Sequence, residues 1–392
     1  MISLNEMRKI FFLTRTYPPD KGGGVITRLK KIELLRKAGH HVVVVAPDYE
    51  DASITKTEYL IKIPYSGNKI KTKINLWLEN FGIYEDYLDR WVKKAFSILK
   101  NIVTSNDIIY CTSGGELGMI KLGFFLKKEC GSKFVINFHD PINYTTVNGF
   151  VREAPVFAVN RDAFEKKYIP HTDLIITCCK GFNESLKKKY SNLKNIKNCY
   201  HGYSKKIEIE NVKTKHSKPL KILYGGVFDK IQSPEILAEA ILRTSDVTGV
   251  FIGDYMHYKP MLKYNNIKQI ELYPRMSHDN FLDKVKNEID IGFFSLKGDY
   301  WGACVPSKLF EYINLGLPVL ASLPLGDAAD IVNKKKYGKA VYYNDLDGLV
   351  HAIEYMSDPA VLNDFHNNIM YDRDNWDFEF IFSDVLTWLK EI

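Results

Sequence analysis

The residues Pro306-Ser307-Lys308-Leu309-Phe310-Glu311-Tyr312 set a cation and a carboxylate about one helical turn apart. A helix starting near Ser307 leaves its first amides without internal acceptors, and its dipole favours an anion there. Lys308 adds a full charge, and Glu311 stands where a carboxylate can accept from both hydroxyls of a ribose. Anion plus diol is what a nucleotide diphosphate presents; the bland alternative is a helix start with a Lys308–Glu311 surface pair. Three weaker blocks accompany it. In Gly225-Gly226-Val227-Phe228-Asp229-Lys230 a glycine turn lets backbone approach a phosphate that Lys230 can neutralise. Gly22-Gly23-Gly24, after Tyr17-Pro18-Pro19, allows close approach to a ligand at Gly23 and Gly24, or is simply a flexible loop. In Phe138-His139-Asp140-Pro141, His139 can hydrogen-bond a sugar hydroxyl or pass a proton, with Asp140 orienting it or contacting an acceptor. A lone strand-end histidine is more often structural.

Missing motifs narrow the field. No G-x-G-x-x-G with a downstream acid follows the first strand, which disfavours NAD, and Gly114-Gly115-Glu116-Leu117-Gly118 is a partial echo only. There is no P-loop, nucleophile elbow or H-E-x-x-H. The triplets Asp345-Leu346-Asp347 and Asp372-Arg373-Asp374 fall late in the chain and read as surface acids rather than metal ligands.

The elements that must position these blocks alternate. Lys9–Thr14 and His41–Ala46 are short apolar runs of the buried parallel type. Between them Thr27–Ala38 reads as a helix with Leu29, Ile32 and Leu35 on one face, closed by Gly39. Asp107–Cys111, a helix Glu116–Glu129, Lys133–Phe138, Asp173–Thr177 and a helix Gly181–Lys189 continue the series. After the lysine-rich stretch Lys205–Pro219 the pattern restarts with Lys221–Tyr224, Val247–Ile252, Ile267–Leu272, Glu288–Phe294, Pro318–Ser322 and Lys339–Tyr343. Such alternation predicts doubly wound α/β sheets, so two Rossmann-like domains should face each other across a cleft.

A length of 392 residues suits two domains. The balance of 54 basic against 47 acidic residues, or +7, is too small for a dedicated nucleic-acid binder but suits anionic substrates or an anionic membrane surface. Eleven of the lysines lie between Glu184 and Lys221 against three acids, which reads as a solvated helix and linker. The six cysteines show no metal or redox spacing, Cys111 and Cys178 read as buried thiols, and a reducing compartment follows. Without a signal-type leader or a membrane-length apolar run, the expected location is cytoplasmic, at most peripheral to a membrane. Ile70–Ile102 carries Trp77, Leu78, Phe81, Tyr84, Leu88, Trp91 and Phe96 among lysines. It reads equally as helices at a membrane interface or helices packed on their own sheet.

The order of these motifs resembles glycosyltransferase family 4, retaining enzymes of the GT-B fold, and within it the bacterial surface-polysaccharide subset. The resemblance runs from Lys9 to about Tyr343. It rests on Tyr17-Pro18-Pro19 with Gly22-Gly23-Gly24, Arg28, Leu35, Gly39-His40 and Val42-Val43-Val44. It continues through His139-Asp140, Tyr224-Gly225-Gly226 with Lys230, and Val305 to Glu311-Tyr312 with Gly316 and Pro318-Val319. Two departures stand out: Ala303 holds the place of the first of two family glutamates, and Val227-Phe228 replaces a frequent arginine.

The resemblance implies an acceptor domain over 1–203, a nucleotide-sugar domain over 220–375, and a helix over 376–392 returning to the first. It implies His139 and Asp140 as the catalytic positions. Gly23, Gly24, Gly226, Lys230, Pro306, Ser307, Lys308 and Glu311 would bind the donor, with Arg275 as a substitute phosphate or base contact, or a solvated loop residue. The implied reaction is metal-independent transfer with retention from a nucleotide diphosphate sugar, UDP ahead of GDP, and no other cofactor. The acceptor would be a glycan or a polyprenyl-linked glycan, beside the inner membrane, in lipopolysaccharide or capsule assembly. A phosphate oxygen of the donor would take the acceptor's proton, and helix-tip amides and lysines would stabilise the leaving diphosphate. A nucleotide-sugar 2-epimerase and an inactive GT-B partner subunit are the alternatives.

Overall fold

The computed structural model describes residues 8–20, 23–50, 53–65, 69–141, 146–147, 150–151, 163–209 and 219–392. The chain forms two compact units, Met1–Tyr200 with Ile381–Ile392, and His201–Phe380.

In the first unit the apolar runs form β1 (Lys9–Leu13), β2 (His41–Asp48), β3 (Thr55–Lys56), β4 (Leu60–Pro64), β5 (Ile108–Gly114) and β6 (Lys133–Asp140). They are followed by β7 (Thr146–Val147), β8 (Phe150–Val151), β9 (Leu174–Thr177) and β10 (Ile196–Asn198). Eight of these make one sheet in the order β10-β9-β6-β5-β1-β2-β4-β3, parallel except at β3, while β7 and β8 pair as an antiparallel ribbon. Continuous burial of Ile10–Leu13, Val42–Ala46 and Ile108–Cys111 shows why these strands lack a polar alternation: helices cover both faces.

The helix between β1 and β2, α1 (Gly23–Lys37), starts earlier than its sequence suggests and is rotated. Gly23 and Gly24 belong to its first turn, and Gly22 lies outside the described residues. Leu29 is 37% exposed, whereas Arg28 and Lys31 are 5% and 2% exposed. The face that packs on the sheet is therefore partly charged. Gly39 closes the helix at φ +91°, and the His40 amide reaches back to the Leu35 carbonyl at 3.1 Å, as a left-handed helix terminator does.

The aromatic segment packs on its own unit only in part. Of α2 (Lys69–Asn80) and α3 (Asp89–Leu99), the second is core: Leu88, Trp91, Val92, Ala95 and Leu99 are buried, and the Trp91 indole donates to the Ile63 carbonyl at 2.9 Å. The first leaves Ile70, Ile74, Trp77 and Phe81 exposed. Helix α4 (Gly118–Cys130) lies against β5 and β6 with Gly123 at the point of closest approach. The last helix, Phe378–Lys390, buries Phe382, Val385 and Leu389, and Arg8 donates to the main-chain oxygen of Ile392 at 2.7 Å within the first unit.

The second unit has six parallel strands, β11 (Leu220–Gly226), β12 (Val247–Gly253), β13 (Ile270–Tyr273), β14 (Ile291–Ser295), β15 (Val319–Leu323) and β16 (Gly338–Tyr342), ordered β13-β12-β11-β14-β15-β16. Glu288 ends the helix His278–Glu288 and does not open a strand, because Asp290 starts the sheet layer by accepting the Lys221 amide at 2.9 Å. Part of the lysine-rich stretch is docked rather than free. Asn314 donates to the Lys205 carbonyl at 2.8 Å, and Ile207 donates to Asn314 at 3.1 Å. One late acid also differs from its reading as a surface group: Asp372 is buried and accepts from Tyr337 and Lys335.

Each sheet reverses its winding once, between β1 and β5 in the first and between β11 and β14 in the second. At such a point successive helices leave for opposite faces, which opens a crevice at the strands' carboxyl ends. Below it, helix packs tightly on sheet. A Cβ at Gly123 would lie 2.4 Å from the Phe134 ring and 2.5 Å from Cys111 Sγ. Gly123→Ala should therefore lower stability by about 1–3 kcal/mol, read as a lower urea midpoint with an unchanged slope.

Candidate functional site

In the second unit the site begins at the carboxyl end of β11. Gly226 sits at φ +135°, and a Cβ there would fall 2.7 Å from Lys308 Cε and 3.1 Å from its Nζ. The backbone conformation requires glycine, and its bare Cα lets the end of Lys308 lie against it. The lysine arrives from the helix Ser307–Asn314, whose Leu309, Phe310, Tyr312 and Ile313 are buried. Tyr312 donates to the Phe293 carbonyl at 2.9 Å, and a Cβ on Gly292 would meet the Tyr312 ring at 2.5 Å, so the helix lies hard against β14. That packing fixes its start, where Pro306 is the N-cap residue and no side chain caps the amides.

Lys308 Nζ donates to Gln232 Oε1 at 2.8 Å and to the Tyr224 hydroxyl at 3.3 Å, lying 4.3 Å from the centre of the Tyr224 ring. Gln232 is held in turn: Asp229 Oδ1 accepts from the Ile231 and Gln232 amides at 2.9 and 2.7 Å, and Ser295 donates to the Gln232 carbonyl. All these acceptors of the ammonium are neutral. Burial pulls the lysine down to about 8, with Glu311 and Asp229 opposing the shift. The crevice thus pairs a desolvated cation with glycine backbone and an uncapped helix start, an arrangement that suits an anion.

Glu311 lies one turn further along, exposed to solvent, and Ser307 is exposed at the helix start. Lys230 and Arg275 are exposed and have no hydrogen-bond or ion-pair partner among the described residues. Lys308, rather than Lys230, is the lysine placed against the glycine turn.

In the first unit His139 and Asp140 end β6 at a bulge. Ser113 pairs with Phe138 and Gly114 with Asp140, leaving His139 as the extra residue. Bulges re-aim side chains beside functional sites. His139 Nε2 lies 3.2 Å from Lys31 Nζ, which also donates to Asn137 Oδ1 at 2.5 Å. Arg28 donates to Thr112 and Thr16 at 3.3 and 2.9 Å, and Gly24 leaves room for it, since a Cβ there would be 3.0 Å from the guanidinium. Burial, reinforced by Glu116 and opposed by Arg28, raises Asp140 to about 6. Glu116 is fully buried, accepts the Gly114 amide at 2.9 Å and lies 3.6 Å from Arg15. Its Oε1 and the Arg15 Nε have no hydrogen-bond partner among the described residues.

Arg15, Lys31, Glu116, Asn137 and Gln232 do not stand out in the sequence. Lys31 had a usable signal, its position three residues after Arg28 on the face that also carries Ile32 and Leu35. The two Asp-x-Asp triplets have ordinary duties: Asp345 caps the helix Leu346–Met356, Asp347 pairs with Arg243 and Asp374 with Lys206.

No protein-family model and no curated protein sequence matches the chain. Solved structures match over nearly its full length. A trehalose-6-phosphate synthase from Burkholderia multivorans aligns with TM-score 0.66 at 12% identity, covering 98% of this chain and 96% of that one. The Anabaena protein HepE, solved with UDP, aligns with TM-score 0.64 at 11% identity over 98% and 100%. The lipopolysaccharide outer core galactosyltransferase WaaB aligns with TM-score 0.64 at 14% identity over 98% and 100%. The fold is the GT-B fold of glycosyltransferases.

The enclosure of Lys308 is directly measurable. Its resonance in an NMR titration, assigned through Lys308→Arg, should move with a midpoint near 8, against about 10.4 for ordinary lysines. A midpoint above 10 would show that its ammonium is not desolvated.

Proposed function

We propose that the chain is a retaining, metal-independent glycosyltransferase of family 4, transferring a sugar from a nucleotide diphosphate sugar to a glycan or polyprenyl-linked acceptor in surface-polysaccharide assembly. The observation that carries this reading is the Lys308 ammonium, held by neutral partners against Gly226 at the reversal point of the second sheet. As the donor bond breaks, negative charge grows on the departing diphosphate. A fixed cation and helix amides meet that charge without reorganising. Glu311 would accept from the ribose hydroxyls one turn on. Lys230 and Arg275, both unpaired, are free to swing to phosphate or base, and Gly23 and Gly24 would allow backbone approach at the start of α1. In the first unit His139 and Asp140 would serve the sugar and acceptor. Solved neighbours with UDP or UDP-2-fluoro glucose support UDP ahead of GDP, and WaaB supports the polysaccharide setting.

The same reading puts the acceptor end at the cytoplasmic face of the inner membrane. Among the described residues no helix is long and apolar enough to cross a membrane. On α2, however, Ile70, Ile74 and Trp77 are 71, 51 and 56% exposed, and Phe81, just past its end, is 60% exposed. The spacing of four and three places the first three on one face. The Trp77 and Phe81 rings lie 4.7 Å apart, and Lys71 and Lys73 are exposed beside them. An apolar ridge with lysines suits the boundary of an anionic bilayer. Sedimentation with phosphatidylglycerol vesicles should carry the protein down, phosphatidylcholine vesicles should not, and Trp77→Glu should release it.

Thermal unfolding against a panel of nucleoside diphosphates tests the donor site. UDP at a hundred times its dissociation constant should stabilise the fold by about 2.7 kcal/mol, and Lys308→Ala and Glu311→Ala should each abolish the shift. Because the anion favours the ammonium, affinity should fall as pH rises through about 8, by up to about tenfold per pH unit above it. Transfer should persist in EDTA. If no nucleotide shifts the transition, the inactive partner-subunit reading replaces this one.

A further inference from the structure

Lys31 is 2% exposed, yet it sits on a helix whose next lysine, Lys30, reaches an exposed partner, Glu33. Its ammonium is directed inward onto β6. Asn137 and the bulge residue His139 receive it. The groups that act on its charge are Cys199, Arg28 and Cys178, and no carboxylate is among them. Burial holds it near 7. Among the described residues, His139 has Lys31 of α1 at 3.2 Å and Asp140 next in the chain, and Arg28 acts on both of these. Cys178 follows β9, its thiol donating to the His139 carbonyl, and Cys199 follows β10.

We infer that Lys31 is a positioning residue for His139, holding the imidazole neutral with its proton on Nδ1. Below about pH 7 Lys31 is an ammonium with donors only, so there a ring nitrogen 3.2 Å from it must present a lone pair. With Nε2 accepting, the single ring proton occupies Nδ1. A second proton would place imidazolium against ammonium in a buried crevice that also holds Arg28, which like-charge repulsion opposes. His139 is then a neutral imidazole that is not a base through Nε2 while Lys31 is charged. That consequence for transfer rests on the glycosyltransferase reading; the protonation state of His139 does not.

The test uses the full chain without ligand, labelled with 15N-histidine, in long-range 1H–15N spectra from pH 5.5 to 8. The signals of His139 are identified by their loss in His139→Gln, and the exposed His41 and His257 serve as internal references. At pH 6 His139 should show a protonated Nδ1 and a bare Nε2, and it should not protonate above pH 5.5. In Lys31→Met it should titrate near the ordinary value of about 6.5, at least a tenfold change in its proton affinity. Protonation of wild-type His139 alongside the exposed histidines, a proton on Nε2 at pH 6, or a midpoint unmoved by Lys31→Met would each overturn the inference. The wild-type titration decides alone if Lys31→Met does not fold. UDP binding by a folded Lys31→Met should stay within about twofold of wild type, so failure of the donor site and failure of this inference show in different measurements.

Discussion

A lysine ammonium held by neutral acceptors at the carboxyl edge of a parallel sheet is the constraint common to both units. Lys31 donates to Asn137 and His139, and Lys308 to Gln232 and Tyr224. Ion pairing with a carboxylate would have been the cheaper way to bury either charge. For Lys31, lowering the ordinary 10.5 to about 7 corresponds to a penalty on the order of 5 kcal/mol for the charged form. A fold does not retain a penalty of that size for packing alone, since a methionine of similar length would fit without it.

The sheets make such sites possible. In a parallel sheet the strands end together, and where the winding reverses no helix covers the ends. The core must then be closed by the residues that follow the strands. The second unit does this with Asp229, whose carboxylate organises the turn carrying Gln232, and with Ser295, which ties that turn to β14. The first does it with Glu116 on the Gly114 amide and Asp86 on the Leu117 amide at 2.8 Å. These carboxylates hydrogen-bond backbone amides and accept no hydrogen bond from either lysine.

This division explains what could be read from the sequence. Strands buried on both faces are unbroken apolar runs, so β1, β2, β5, β11, β12 and β15 are visible within a residue or two at their starts. The block around Lys308 was visible because a helix start, a lysine and a glutamate have fixed spacing. Helix α1 misleads for a physical reason. Its inward face includes Arg28 and Lys31, so apolar periodicity selects Leu29, which faces solvent. Partners such as Gln232 and Asn137 carry no signal of their own, because a neutral amide in a loop or strand acquires its role only from the lysine that reaches it from far along the chain. The bulge at His139 is equally silent, being a property of how β6 pairs with β5.

Ala303, where the family pattern has a glutamate, fits the same logic. It ends the short turn Asp299–Ala303 ahead of the Lys308 helix. That turn is fixed by backbone contact: a Cβ on Gly302 would lie 2.3 Å from the Leu325 carbonyl oxygen, and one on Gly326 would lie 2.1 Å from that of Gly302. At its other end the Asp299 carboxylate accepts from the Tyr342 hydroxyl at 2.6 Å, so no carboxylate at 303 is needed to hold it. A glutamate so close to the helix start would add to the pull that Glu311 and Asp229 already exert on Lys308, raising its proton affinity and cancelling part of its field. With alanine there the ammonium faces the crevice less compensated. Under the proposed function, alanine here would give up a hydrogen-bond acceptor for sugar hydroxyls while strengthening the attraction for a diphosphate, and on this second count the departure would favour anion binding.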